Sequence, residues 1–212
     1  MKSGLIAGGT IGLLGLASVA LAKAPPPRIG LQIDIRTGYS LPLGTAGDHV
    51  ELSDVVSGQV PLIFDIGGKV LPELFVGGYL GFGLGGAGGA GKVECEANGL
   101  DCRVLELHIG VQAQYHILPA GPVNPWLGYG LGFESLGRTV SKDGATSSTS
   151  IGGFELARFM AGVDFRVTPL FGVGPFVDLS LASFSSVSNG AKINEKAMHE
   201  WLTLGARFVF FP

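Results

Sequence analysis

Charge is scarce in this chain. Asp, Glu, Lys and Arg make up 15% of its 212 residues, against about 25% in an ordinary soluble domain. Net charge is only −3, and neither sign gathers into a run, which argues against a nucleic-acid surface or an acidic interaction tail. Long apolar runs are missing as well. Past the N-terminus no uncharged apolar stretch reaches the ~18 residues of a spanning helix, although mean hydropathy is +0.42. Cysteine occurs only twice, whereas glycine occurs 36 times, far more than a soluble core uses. The length suits one domain or one small barrel. An apolar, glycine-rich chain without later spanning helices points to a β-barrel.

Residues Met1 to Ala24 read as a secretory signal. Lys2 supplies the positive start, Leu5 to Leu21 the apolar core, and both Ala20-Leu21-Ala22 and Ala22-Lys23-Ala24 fit the A-x-A cleavage pattern. Cutting after Ala22 is preferred, because the other site leaves Pro25 directly after the cut; a retained anchor helix is the competing reading. No cysteine follows the apolar core, which excludes a lipoprotein signal. The expected organisation is a signal peptide over 1–22, a stiff proline-rich lead-in over 23–28, and a barrel over 29–212.

The barrel portion reads as eight strands by strict alternation. They are Ile29–Leu41, Val60–Lys69, Leu74–Leu84, Val104–Ile117, Pro125–Ser135, Phe154–Val167, Gly172–Ser183 and the terminal stretch from Glu200. The fourth is the cleanest: Leu105, Leu107, Ile109, Val111, Ala113, Tyr115 and Ile117 face one way, and Glu106, His108, Gly110, Gln112, Gln114 and His116 the other. Connections alternate short and long. Short turns fall near 70–73, 118–124 and 168–170, and long polar segments near 44–58, 85–103, 137–149 and 185–198. Asn98-Gly99, Asp143-Gly144 and Asn189-Gly190 mark tight reversals inside three of the long ones.

Alternation alone does not separate a membrane barrel from a soluble one, but the chemistry of the two faces does. The apolar face so assigned carries no Asp, Glu, Lys or Arg, which is what lipid contact selects, since one Arg or Lys at mid-membrane costs about 2–4 kcal/mol. Aromatics on that face collect near strand ends, with Tyr39, Phe82 and Phe133 toward one rim and Tyr115, Phe165 and Phe210 toward the other. The opposite face holds glycine together with Arg36, Lys69, Arg158, Arg166 and Arg207, and with Asp34, Asp65, Glu106, Glu134, Asp164 and Asp178. Eight strands enclose only enough room for side chains, and buried charges must pair. The pairs expected from strand adjacency are Arg36–Asp65, Asp34–Arg207 and Glu134–Arg158. The interior then reads as a salt-bridged plug, with a polar path for a small solute as the alternative.

The remaining candidates are weaker. Cys95 and Cys102 flank Asn98-Gly99 and read as a disulfide closing a hairpin tip in an oxidising compartment; Glu94, Glu96 and Asp101 are too hard to partner thiolates on a metal. Gly81-x-Gly83-x-x-Gly86 matches the dinucleotide pattern only formally, because no amphipathic helix follows it. His108 and His116 point inward, while His49 and His199 lie in or beside loops. No serine is spaced to form one site with them, although His199 could meet a loop serine such as Ser185. No enzyme activity, metal or cofactor is expected.

The terminal strand carries the one family signal. Thr203, Gly205, Phe208 and Phe210 fit polar-x-Gly-x-x-aromatic-x-aromatic, and the chain resembles the small OmpA-, OmpX- and OmpW-type outer-membrane barrels. That resemblance implies an eight-stranded antiparallel up-and-down barrel in the bacterial outer membrane with both termini periplasmic. It implies contact with outer-membrane lipid and lipopolysaccharide, and recognition of the terminal strand by the barrel-insertion machinery. Pro212 departs from the pattern by following Phe211, and no peptidoglycan-binding domain follows the barrel. The expected role is structural or surface interaction through four external loops, with a conduit for small apolar solutes as the alternative and lipid modification a less favoured third.

Overall fold

The computed structural model describes residues 29–47, 49–188, 193 and 196–211. The expected signal peptide over 1–22, the expected lead-in over 23–28, the expected Asn189-Gly190 reversal and Pro212 lie outside the described residues. The elements in order are β1 (Gly30–Gly47), β2 (Val50–Glu51), α1 (Leu52–Val55), β3 (Val56–Lys69), β4 (Leu74–Ala87), α2 (Gly89–Ala97), β5 (Asp101–His116), β6 (Val123–Lys142), β7 (Ala145–Thr168), β8 (Phe171–Val187) and β9 (His199–Phe210). Each long strand pairs antiparallel with the next, and β9 pairs back onto β1 from Ile33↔Phe210 to Gly44↔His199. Eight long strands therefore close into an up-and-down barrel, with β2 as a two-residue addition to β1. Closure gives the strand backbones their partners without water, the condition for crossing a bilayer with strands.

The two faces are inverted relative to a soluble protein. Leu31, Leu62, Ile66, Val111, Leu127, Phe159 and Leu204 are among a continuous set of exposed apolar side chains, and the aromatic residues Tyr39, Phe82, Phe133, Tyr115, Phe165 and Phe210 are exposed with them. Inside, the buried set is largely polar. An apolar exterior of this extent around a charged interior is a lipid-facing wall.

At the end opposite the short turns the strands run further than alternation suggests. β6 and β7 continue as a ladder to Lys142↔Ala145, so the polar stretch 137–149 is a hairpin extension. Its tip is Asp143-Gly144, with φ of 48° and 83°; two consecutive positive φ values give the turn that matches strand twist. The stretch 85–103 holds α2, and there the Asn98-Gly99 expectation needs correcting. Gly99 has φ of 61° and the Leu100 amide donates to the Cys95 carbonyl at 2.8 Å. Those residues end a helix in the left-handed manner and do not turn a hairpin. α1 packs inward at the same end through fully buried Leu52.

Candidate functional site

Alternate residues of every strand point into the barrel, so the interior is the one place where the chain concentrates chemistry. It is organised in tiers. At the end with the short turns, Arg207 donates through Nη2 to Asp34 Oδ2 at 2.5 Å and to Gln114 Oε1 at 2.7 Å, and through Nη1 to Asp164 Oδ2 at 3.3 Å. Its guanidinium lies 4.2 Å from the Trp126 ring centroid. Lys69 and Arg166 lie below it over the Phe211 ring, and His116 Nδ1 is 2.7 Å from Asn124 Nδ2.

The middle tier centres on Arg36. It holds Asp65 with two nitrogens, Nε to Oδ2 at 2.7 Å and Nη2 to Oδ1 at 3.0 Å, and Asp178 Oδ2 through Nη1 at 2.8 Å. Arg158 donates to the same Asp178 oxygen at 2.7 Å and lies 3.5 Å from Glu155. Glu155 accepts from Tyr79 Oη at 2.5 Å and Ser180 Oγ at 2.6 Å. The inward glycines make room for this tier: a Cβ at Gly110 or Gly132 would meet the Tyr79 hydroxyl.

The upper tier has histidines where the others have arginines. His108 Nε2 is 2.9 Å from Glu106 Oε1, and Gln59 donates to Glu106 Oε2. His199 Nε2 is 3.1 Å from Glu134 Oε2, while the Trp201 indole donates to Glu134 Oε1 at 3.0 Å. Above it an apolar cluster of Ala46, Leu52, Val56, Val104, Leu136, Phe184 and Trp201 closes the barrel. Beside Glu106 and His108 lies a cavity of ≈ 10 Å³, room for about one water.

All eleven charged residues assigned to the interior are buried there. Arg36–Asp65 and Asp34–Arg207 are in contact. Glu134–Arg158 is not, and the register explains why: Arg158 stands opposite Gly130, but Glu134 stands opposite Gly153. Between Glu155 and Ala157 the ladder carries a bulge, which shifts the phase of β7 and turns Glu155 inward. The sequence reading assigned Glu155 to neither face, although strict alternation from Arg158 sends it outward onto a face otherwise free of charge; that lone carboxylate was the signal that the alternation breaks there. His199 stands beside the loop as the first residue of β9, but it is fully buried, stacked on Phe184 at 4.1 Å and bonded to Glu134.

Cys95 and Cys102 are bonded, fastening α2 to the start of β5. Arg138 Nη2 donates to Cys95 Sγ at 3.3 Å and lies 3.5 Å from Glu94, so this loop is tied to β6 too. Of the terminal-strand residues, Thr203 points inward and its hydroxyl is 2.6 Å from that of Ser40. Gly205 stands opposite Gly38. Phe208 and Phe210 face outward.

No protein-family model matches the chain, and no curated protein matches it. Solved structures do. Ail, the attachment invasion locus protein of Yersinia pestis, is 17% identical, with 86% of this chain and 100% of that chain covered and a TM-score of 0.47. The outer membrane protein OprG from Pseudomonas aeruginosa is 12% identical, with 87% and 98% covered and a TM-score of 0.48. The outer membrane protein AlkL, solved in lipid bilayers, is 17% identical, with 90% and 95% covered and a TM-score of 0.49. The chain is a closed eight-stranded antiparallel barrel with an apolar outer wall, a fold similar to that of these outer-membrane proteins.

Proposed function

We propose that this small outer-membrane barrel is a sealed scaffold that works through its loop-bearing end, by structural or surface interaction, and does not act as an open pore. The interior geometry carries the reading. Each tier is filled by side chains that bond between strands and across the barrel, from Arg207 with Asp34 and Gln114 through Arg36 with Asp65 and Asp178 to His199 with Glu134, and the apolar cluster under α1 covers the last of them. A column of fixed, mutually paired charges offers an ion no continuous water path. The loop-bearing end is in contrast well built, with a disulfide-fastened helix and a long two-stranded extension. In this reading both chain ends face the periplasm and that end faces outward. Lipid surrounds the belt, lipopolysaccharide contacts the outer rim, and the insertion machinery reads Thr203, Gly205, Phe208 and Phe210. No catalytic role is proposed, in keeping with the bonding of His108, His116 and His199 to Glu106, Asn124 and Glu134 in place of a serine.

The test is an epitope inserted between Asp143 and Gly144, at the tip of the β6–β7 extension. Labelling of intact cells is the expected result. Labelling only after the outer membrane is opened would overturn the outward orientation and the surface role with it.

One observation favours a second reading, uptake of small apolar solutes. Val55, Leu136, Val140 and Ile151, with Arg138, Ser147 and Thr149, line a cleft of ≈ 380 Å³ inside the β6–β7 extension, within the size range of small-molecule sites. An apolar fluorescent probe that binds wild type and is lost from Leu136→Glu would support this reading; equal binding to both proteins would remove it.

A further inference from the structure

Charge balance inside the barrel is uneven in one place. Among the buried side chains, Arg36, Lys69, Arg158, Arg166 and Arg207 face Asp34, Asp65, Glu155, Asp164 and Asp178 in the two lower tiers, and those two sets cancel. Glu106 and Glu134 are left over. Among the described residues neither is ion-paired to an arginine or lysine; their ion-pair partners are His108 and His199. Two buried carboxylates carry two negative charges that must be met locally. Two protonated imidazoles, or one divalent cation, meet them.

The arrangement of atoms favours the cation. Ligand atoms of Glu106, His108 and Glu134 all lie within 4.8 Å of one another. His108 Nε2 approaches Glu106 Oε1 to 2.9 Å and its Nδ1 lies 3.6 Å from Glu155 Oε2, and Nδ1 of His199 has no hydrogen-bond partner among the described residues. Nitrogen and carboxylate oxygen are thus already neighbours, as two ligands of one ion must be. Bonds of about 2.0–2.2 Å set tetrahedral ligands roughly 3.4 Å apart, so an ion would draw the more distant atoms together by up to about 1.4 Å and part the closest pair by about 0.5 Å. His199 lies outside that cluster, but its Nε2 is 3.1 Å from Glu134 Oε2, so from the facing strand β9 it would complete the site as a fourth ligand by moving in with Glu134.

We propose that Glu106, His108, Glu134 and His199 form a binding site for a divalent transition metal of the zinc class. Imidazole with carboxylate suits zinc and its neighbours, whereas calcium and magnesium take oxygen ligands almost throughout. The bound ion joins β5, β6 and β9 across the barrel directly beneath the apolar cap. Its binding releases the imidazoles from any need to be charged.

The experiment is metal analysis of the full mature barrel, refolded after chelator treatment, equilibrated with Zn²⁺ and dialysed. Wild type is expected to retain roughly one equivalent, and with Co²⁺ to show the intense visible absorption of a tetrahedral site. Glu106→Gln with Glu134→Gln is expected to retain none, while His49→Ala behaves as wild type. Heat-dependent gel mobility shows whether each variant has folded. If the double variant does not fold, His108→Asn takes its place, with affinity expected to fall about 100-fold or more, at least the upper end of the loss from an outer-shell change. A folded wild type that retains no zinc overturns the proposal and leaves the charge to protonated histidines. Equal retention by a folded site variant overturns it as well.

Discussion

Replacing Arg36 by methionine keeps most of the side-chain stem and removes the charge at the centre of the barrel. Asp178 keeps Arg158 at 2.7 Å. Asp65 keeps nothing equivalent, since Arg36 supplies both of its charged hydrogen bonds and the side chain is fully buried. Breaking a buried pair on one side costs about 3–5 kcal/mol, most of it from the stranded charge. Removing the stranded partner as well, in Arg36→Met with Asp65→Leu, should restore all but about 1–2 kcal/mol, because well-packed apolar substitutes for a buried pair are close to neutral. The assay is urea-dependent unfolding of the barrel refolded into lipid vesicles, read as a complete double-mutant cycle. A single Arg36→Met cost below about 1 kcal/mol would refute the reasoning, because Asp65 would then be hydrated and the middle tier would not be sealed.

Two further outcomes follow from the wall. Leu131 faces outward midway along β6, so Leu131→Arg should cost about 2–4 kcal/mol in the same vesicle assay, while Val93→Arg on exposed α2 changes little; equal costs would mean that lipid does not cover β6. Gly132→Val should cost about 1–3 kcal/mol, the usual range for overpacking, because a Cβ there meets the Tyr79 hydroxyl and the Ile109 carbonyl oxygen. Gly137→Val, where a Cβ would stand 3.6 Å from the Leu105 carbonyl oxygen, should be close to neutral, and a similar loss at both would show that strand flexibility matters more than the ring.

Much of this was legible in the sequence because lipid and lumen make opposite demands on successive residues. Leu105, Leu107 and Ile109 against Glu106 and His108 could be assigned to faces with no knowledge of the neighbours. Partners were legible only where register was undisturbed, as for Arg36 with Asp65. The bulge beside Glu155 is invisible to a period of two, and the β6–β7 register sets Arg158 opposite Gly130, four residues along the ladder from Glu134, where it meets Asp178 instead. The loop-bearing end was read least well. Gly89–Ala97 has little apolar content to signal a helix, and its order comes from the disulfide and from Arg138 on another strand. The upper tier escaped for a related reason: Glu106 and His108 were assigned to the interior, but their meeting with Glu134 and His199 depends on how β5, β6 and β9 curve around the barrel.

The claim on which the rest depends is that the lumen is closed, and planar-bilayer conductance of the refolded wild type beside Arg158→Ala tests it most directly. Arg158 borders the small cavity next to Glu106 and His108 and lies 4.9 Å from the Tyr79 ring centroid, so its loss opens the tier that separates that cavity from the turn-bearing end. The account predicts no steady conductance from wild type and measurable leakage from the variant. A steady wild-type conductance would contradict it and make solute passage the function to pursue.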